Sequence, residues 1–147
     1  MSDAPFITDC NTRLAFETEQ RRLEPACVTA GVQALLDDPA KGSYFVAECD
    51  GTLAGQLLIT YEWSDWRNGN FWWIQSVYVV EKFRGSGVCR TLFEHVHALA
   101  KARQEVCGLR LYVEANNSRA REAYRRLGMK QSNYEMFEID FVLSQNR

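Results

Sequence analysis

The chain has 147 residues, of which 46% are hydrophobic and 24% are charged, and its formal net charge is −2. These proportions are typical of a globular protein with one domain and one sizeable core. The slightly acidic balance excludes the positive footprint of a nucleic-acid-binding domain, and no apolar run approaches the roughly 20 residues that span a bilayer. We expect a single domain, residues 1–147, with neither a nucleic acid nor a membrane as partner.

Cysteine and histidine usage argues against a metal site. The five cysteines are odd in number and lack C-x-x-C spacing, and His95 and His97 have no acidic or cysteine partner at ligand spacing. No signal peptide precedes the first predicted helix. We expect reduced thiols that pack as small hydrophobic side chains in a cytoplasmic protein without a metal.

Two helices are predicted first. Asp3 as an N-cap and Pro5 in the first turn begin one helix. An apolar stripe with helical spacing predicts a second helix from about Pro25, which Pro39 and Gly42 end.

Strands follow. Asp50-Gly51 is a hairpin signal between the strands Ser43–Cys49 and Thr52–Trp63, and Asn68-Gly69 predicts a second turn. The later predicted elements are a strand over 71–80, a helix over about 86–103, a strand over 109–113, a short helix that carries Tyr124, and one or two strands over about 129–141. This order predicts a mixed α/β sheet.

The junction between the strand over 71–80 and the helix after it has the strongest functional signal. Arg84-Gly85-Ser86-Gly87 stands there. Two glycines let backbone amides approach a ligand, and the helix start adds unpaired N–H groups and the positive end of the helix dipole. The combination predicts an anion site, most often a phosphate site.

Three phosphate loops compete for this segment. A P-loop requires Lys-Ser or Lys-Thr after its second glycine, which is missing here. A dinucleotide loop requires a small residue where Arg90 stands. The third is R-x-x-G-x-G/A, the pyrophosphate loop of acyl-CoA-dependent N-acetyltransferases, which Arg84–Cys89 resembles with Cys89 as the small sixth residue.

A second segment resembles the same family. Asn117-x-x-Ala120-x-x-x-Tyr124-x-x-x-Gly128-Met129 is similar to N-x-x-A-x-x-x-Y-x-x-x-G-F of the GNAT superfamily, with Met129 in place of the aromatic residue. The resemblance covers roughly residues 3–141. The stretch from Thr60 through Val79 and the ending Phe137–Asp140 look most like the spermidine/spermine and thialysine acetyltransferase branch.

The resemblance implies a twisted, mostly antiparallel sheet with about four helices, in which two parallel strands splay apart and hold CoA between them. It implies as well that acetyl-CoA is the co-substrate and that the protein is a homodimer. It also implies the cofactor-binding residues, which are Val77, Tyr78, Val79, Arg84, Gly85, Ser86, Gly87, Val88, Cys89, Arg90, Asn117 and Ala120. An N–H near Val77 would polarise the thioester carbonyl. Asn117 would bind the pantetheine amide or simply cap its helix.

Tyr124 is the candidate general acid. A phenol with a reference pKa near 10 can protonate a thiolate whose thiol pKa is about 8.5. The alternative is a core residue, because Ala120, Tyr124 and Leu127 share one helical face.

The general base and the acceptor are left open by the sequence. The polyamine branch has a carboxylate where Gln75 stands, so a proton would leave through water to Glu62, Glu114 or another acid. Glu17, Glu19, Glu24 and the tryptophans 63, 66, 72 and 73 would suit a cationic amine, or would be solvated acids and packed aromatic residues. A small primary amine is the expected acceptor. A protein acetyltransferase and a non-catalytic acyl-CoA sensor are the alternatives.

The N-terminus departs from the family. Members usually have a strand before the first helix, and here two residues precede Asp3. That strand is absent, or the chain starts late relative to its relatives. We expect Ser43–Cys49 to become an edge strand, open to cover by another subunit.

Overall fold

The computed structural model describes residues 2–143, which fall into two compact units that divide between Tyr112 and Val113. The second unit contains helix α4 (Ser118–Arg126). The first unit contains the other elements, which are α1 (Ala4–Glu19), α2 (Pro25–Leu36), β1 (Ser43–Cys49), β2 (Thr52–Ser64), β3 (Gly69–Val79), α3 (Val88–Lys101) and β4 (Val106–Arg110). No helix within residues 2–143 is both long and apolar enough to cross a bilayer.

The four strands form one mixed sheet in the order β1-β2-β3-β4. The β1–β2 and β2–β3 pairs are antiparallel and the β3–β4 pair is parallel. This confirms the predicted α/β class, and it confirms Ser43–Cys49 as an edge strand. No strand lies within residues 2–6, since α1 already begins at Ala4.

The local signals in the sequence account for most element boundaries. Asp50 and Gly51 both have positive φ, 50° and 79°, as the tight β1–β2 hairpin requires. The carboxylate of Glu24 accepts hydrogen bonds from the amides of Ala26 and Cys27 and so caps α2. A capping glutamate has its charge committed to its own helix, so Glu24 is not free for a cationic ligand.

Two strand predictions in the second half of the sequence are wrong. The strand expected over 109–113 lies instead at Val106–Arg110. There it pairs in parallel with β3, from Asn70–Val106 to Trp73–Arg110. The strands expected over about 129–141 are not formed, since residues 129–143 contain no strand. Their alternating apolar pattern is suited to a sheet, but a strand also needs a paired neighbour, and the second unit supplies none.

Helices α1 and α3 cover opposite faces of the sheet. Asn11 of α1 contacts Gln56 of β2, whereas Val88 of α3 lies against Gly55. Successive residues of a strand point to opposite faces, so the two helices enclose the sheet between them. The buried core between these layers includes Ile7, Cys10, Leu57, Ile59, Ile74, Leu92 and Val96.

Candidate active site

Strand β3 carries a β-bulge near its end. Gln56 pairs with Tyr78 and Leu58 pairs with Gln75, so Ser76 and Val77 together stand opposite one residue of β2. Ser76 has a φ of 51°, a left-handed conformation that is uncommon for a residue with a side chain. A bulge bends the strand and releases backbone groups from the ladder. The predicted site residue Val77 therefore lies at an interruption of the sheet.

A buried amide braces this bulge. The Gln56 side chain is 0% exposed, and its Nε2 donates to the Ser76 carbonyl at 3.0 Å and to Asn11 Oδ1 at 2.7 Å. Asn11 Nδ2 in turn donates to the Tyr44 hydroxyl at 3.3 Å. Burial raises the pKa of the Tyr44 phenol, which keeps this hydroxyl neutral. A chain of hydrogen bonds thus links Tyr44 of β1 and Asn11 of α1, through Gln56, to the Ser76 carbonyl.

Replacing Gln56 with leucine is expected to destabilise the protein by about 1–3 kcal/mol, because the half-buried Ser76 carbonyl and Asn11 Oδ1 would lose their donor. Urea unfolding measures the change in the free energy of unfolding. The control is Gln33→Leu, since Gln33 bonds Asp37 on the exposed surface of α2, and its loss should cost under about 0.5 kcal/mol. Equal effects of the two substitutions would contradict a role for Gln56 in bracing the bulge.

The two parallel strands separate beside the bulge. Their pairing ends at Trp73–Arg110, although β3 continues to Val79. Within the described residues of the first unit, no strand pairs with that side of β3 beyond Trp73. Backbone amides and carbonyls that would otherwise bond a neighbour are left for a ligand. This arrangement agrees with the expected splay of two parallel strands.

The glycine loop after β3 leaves the start of α3 open. Gly85 and Gly87 have φ values of 84° and 86°, and a Cβ on either would meet nothing within 4 Å. Gly87 is the N-cap residue and supplies no side chain, so the amides of the first turn of α3 have no capping partner among the described residues. An uncapped helix start beside open space fits a bound phosphate or diphosphate.

Gly55 positions this helix start. A Cβ on Gly55 would lie 3.0 Å from a methyl group of Val88 and 2.9 Å from the Tyr78 carbonyl. The missing side chain therefore lets the first residue of α3 pack directly onto β2. Gly55 is a functional position that its sequence context could have revealed, because a glycine inside a strand signals a close approach of backbone.

Arg84, Tyr78 and Glu17 form a cluster beside the loop. The Tyr78 hydroxyl donates to Glu17 Oε2 at 2.5 Å, and Arg84 Nη2 donates to Glu17 Oε1 at 2.7 Å. Arg84 Nε also bonds the Val79 carbonyl at 2.9 Å. These hydrogen bonds, first from Tyr78 and then from Arg84, lower the pKa of Glu17, and burial and the adjacent carboxylate raise that of Tyr78. Glu17 is therefore an ionised, fully engaged side chain.

The other predicted loop residues have ordinary local roles. Arg90 pairs with Glu94 one turn along α3 at 2.8 Å, and the Ser86 hydroxyl donates to the Phe83 carbonyl. Burial raises the pKa of the Cys89 thiol, which stays protonated. The guanidinium groups of Arg84 and Arg90 are thus both engaged with carboxylates, and the loop amides are the donors that face open space.

Gln75 and Glu62 lie on the sheet with partners of their own. Gln75 Nε2 donates to Thr60 Oγ1 at 2.7 Å. Glu62 Oε1 accepts hydrogen bonds from Trp73 Nε1 at 2.8 Å and from Arg110 Nη1 at 2.9 Å. These bonds, chiefly the one from Trp73, lower the pKa of Glu62. A carboxylate with a lowered pKa is a weak general base.

The tryptophans do not form a common wall. Trp72 is buried, Trp73 bonds Glu62, and Trp63 and Trp66 are exposed. Their proximity in the sequence reflects the β2–β3 hairpin rather than a shared aromatic pocket. These side chains therefore form no single aromatic pocket, although Trp73 and Glu62 are in contact on the sheet.

The motif from Asn117 to Met129 spans one helix, α4, and the structures at its two ends. Asn117 Oδ1 accepts from the Ala120 amide at 3.1 Å and caps α4. Gly128 has a φ of 95°, and the amides of Gly128 and Met129 bond the carbonyls of Arg125 and Tyr124. This is a Schellman motif, which ends the helix. The first and last residues of the motif therefore fix the ends of the helix that carries the half-buried Tyr124.

Residues 2–143 contain no group of three or more histidine, cysteine or acidic side chains that could hold a metal ion. The donors offered by the first unit are backbone amides at the bulge, along the open side of β3 and at the start of α3. Their chemistry fits an elongated ligand with a diphosphate at one end and amide groups along its length, as in CoA.

Comparison with known proteins identifies the family. Residues 8–129 match the Acetyltransferase (GNAT) family. The chain is 41% identical to a possible acetyltransferase from Clostridium difficile 630, over 95% of this chain and 92% of that one, with a TM-score of 0.89. No curated protein sequence matches significantly.

More distant structures share the fold. A ribosomal-protein-alanine N-acetyltransferase from Brucella melitensis biovar Abortus 2308 is 19% identical, with 95% and 92% of the two chains covered and a TM-score of 0.75. A glucosamine-6-phosphate N-acetyltransferase from Arabidopsis thaliana is 18% identical, with 90% and 87% covered and a TM-score of 0.67.

The fold and the family match together define an N-acetyltransferase. The family uses acetyl-CoA as its acyl donor. This chain belongs to the GNAT family of acetyltransferases.

Proposed function

We propose that this protein transfers the acetyl group of acetyl-CoA directly to the primary amine of a small molecule, namely a diamine, a polyamine or an amino acid derivative. The observation that carries the proposal is the uncapped start of α3 behind Gly85 and Gly87, next to a strand with an unpaired side. The polyamine branch has a carboxylate where this chain has Gln75, which makes a polyamine the least supported of the three.

The cofactor site is proposed to be built mainly from backbone. The amides from Gly85 to Arg90 would hold the diphosphate, because they adjoin open space and the positive end of α3. Val77, Tyr78 and Val79 would bond the pantetheine arm through the open side of β3. Asn117 and Ala120 would stabilise the start of α4 through their capping bond.

The reaction needs two further contributions from the chain. A backbone amide at the Ser76–Val77 bulge would donate to the carbonyl oxygen of the thioester, where negative charge develops when the amine attacks. The Tyr124 hydroxyl would donate its proton to the departing thiolate. The bound thioester supplies the activated acyl group.

Removal of the amine proton is proposed to proceed through water. Gln75 cannot accept a proton at neutral pH, and the hydrogen-bonded Glu17 and Glu62 have lowered pKa values. Glu114 accepts from the Asn116 amide at 2.9 Å and is a further candidate for the final acceptor. A base that works through water need not touch the substrate.

Release of free thiol from acetyl-CoA across a panel of small amines tests the proposed function. Turnover with at least one small amine, and none with lysine-containing peptides, is expected. Turnover with peptides alone would instead favour a protein acetyltransferase. Tight binding of CoA without turnover on any acceptor would favour an acyl-CoA sensor.

We further propose that both units belong to one acetyltransferase domain and that the protein is a cytoplasmic homodimer. The free state of all five cysteines fits a reducing compartment. Apolar side chains of residues 134–142 support the dimer, since Phe137 is 93% and Ile139 is 83% exposed. Such exposed apolar surface marks an interface.

Replacing Phe137 with aspartate is expected to shift a dimer to monomer, because a charge at an apolar interface loses its hydration without gaining a partner. Light scattering after size exclusion measures the mass. Asn133→Asp in the same segment adds the same charge at a polar position and should leave the dimer intact. A monomeric wild-type protein would contradict the proposal.

A further inference from the structure

A cleft opens at the end of α1 in the first unit. Its volume is about 430 Å³, and its lining residues are Thr12, Arg13, Phe16, Glu17, Arg21, Arg22 and Leu23. One wall is the last two turns of α1, and the other is the connection to α2. The amide of Arg21 bonds the Ala15 carbonyl at 3.2 Å, which folds this connection back against the helix.

The cleft adjoins the proposed acetyl-transfer site. Glu17 lines the cleft, and its carboxylate binds both Tyr78, next to the bulge, and Arg84, which precedes the glycine loop. A molecule in the cleft would therefore lie one side chain away from the end of β3. Tyr78 also adjoins the Ser76–Val77 bulge, the proposed position of the thioester carbonyl that the acceptor amine must reach.

The charge of the lining is positive. Three of its side chains are arginines, and the single carboxylate, Glu17, is already engaged by Tyr78 and Arg84. This differs from the acidic acceptor surface that Glu17, Glu19 and Glu24 suggested in the sequence. Glu24 caps α2, and Glu19 Oε1 comes no closer than 3.9 Å to Arg21 Nη2.

Two of the arginines, Arg21 and Arg22, have no close carboxylate partner among the described residues. The Arg21 side chain is 12% exposed, and its only ion pair among the described residues is the long contact with Glu19. Arg22 lies over the Phe16 ring at 5.1 Å and makes no ion pair within residues 2–143. Arg13 is less available, because its Nε pairs with Asp9 at 2.9 Å. None of the Arg21 guanidinium nitrogens is both buried and without a partner. A guanidinium that lines a cleft and has no close carboxylate is available to bind an anion there.

We propose that this cleft binds an oxyanion of the acceptor, a carboxylate or a phosphate, through Arg21 and Arg22, while Phe16 and Leu23 contact its alkyl part. The planar guanidinium fork suits two-point recognition of such groups. The inference rests on the proposed function and narrows it, since the acceptor is then an amine that also carries a negative group.

The test compares acceptors of one chain length. Pentylamine is neutral apart from its amine, cadaverine adds a second cation, and ω-aminopentanoate and aminopentyl phosphate add a carboxylate or a phosphate. The wild-type kcat/KM is expected to be about tenfold or more higher for at least one of the anionic acceptors than for cadaverine. The better of the two anions identifies the source of the oxyanion.

Arg21→Gln and Arg22→Gln are expected to lower kcat/KM for the preferred anionic acceptor by about 10- to 100-fold, the size of a lost charge-assisted hydrogen bond. The value for pentylamine should stay within about threefold. Arg103→Gln is the control, because Arg103 lies after α3 and lines no part of the cleft. Arg22 is exposed, so its variant keeps the test valid if Arg21→Gln fails to fold.

Three results would overturn the inference. These are a preference for cadaverine, equal losses for all acceptors in the arginine variants, and an Arg103→Gln effect as large as theirs. In each case acetylation of pentylamine still upholds the proposed function. Failure to acetylate any acceptor despite bound CoA contradicts both.

Discussion

Replacing Tyr124 with phenylalanine is expected to reduce kcat by about 100-fold or more while leaving the Kd for acetyl-CoA within about threefold. The substitution removes one oxygen and keeps the ring that packs on α4. A thiolate that leaves without a proton donor is a poorer leaving group, so the loss falls on turnover rather than on binding. Thiol-release kinetics and calorimetry measure the two quantities separately.

The matched control for Tyr124 is Tyr134→Phe. Tyr134 lies in the same unit, is exposed, and belongs to neither motif. Its substitution should leave both kcat and Kd near the wild-type values. If Tyr124→Phe also keeps full turnover, Tyr124 is a packing residue of α4 and another group must protonate the thiolate.

Replacing Gly87 with alanine is expected to raise the Kd for acetyl-CoA by about tenfold or more. The residue has a φ of 86°, where a Cβ costs roughly 1–2 kcal/mol, and the added methyl group would enter the open space at the start of α3. Relief of the strain would turn the amides of the first turn away from the diphosphate. Calorimetric titration with CoA measures the effect.

Gly51→Ala separates this effect from strain alone. Gly51 has a φ of 79° in the β1–β2 hairpin, and a Cβ there also meets nothing within 4 Å. The two substitutions should therefore destabilise the fold by similar amounts, whereas only Gly87→Ala weakens CoA binding. Equal Kd values for both variants would mean that the glycine loop does not hold the diphosphate.

Local chemistry made most of the fold predictable. Asp50-Gly51 encodes a hairpin through two positive φ angles, and the glycines at 85 and 87 mark the strand-to-helix junction by the same property. Such signals act between neighbours in the chain, so the sequence alone displays them. The order of helices and strands followed from them.

Contacts between distant residues were beyond this kind of prediction. Glu17 and Arg84 lie 67 positions apart in the sequence, and no local pattern in either segment predicts their ion pair. The sequence therefore suggested an acidic acceptor surface, whereas Glu17 is paired with Arg84, Glu24 caps α2, and the lining of the cleft carries Arg21 and Arg22. The strands predicted over 129–141 failed for a related reason, since residue pattern alone supplies no neighbour.

The register of β3 and β4 leaves the last part of β3 without a paired strand on one side. Because pairing stops at Trp73–Arg110 while β3 goes on to Val79, the edge it leaves can be completed by any extended molecule with amide groups at peptide-like spacing. Contacts made by main-chain atoms do not depend directly on which side chains β3 carries. Selection on that stretch would then act on backbone shape, which few point mutations alter.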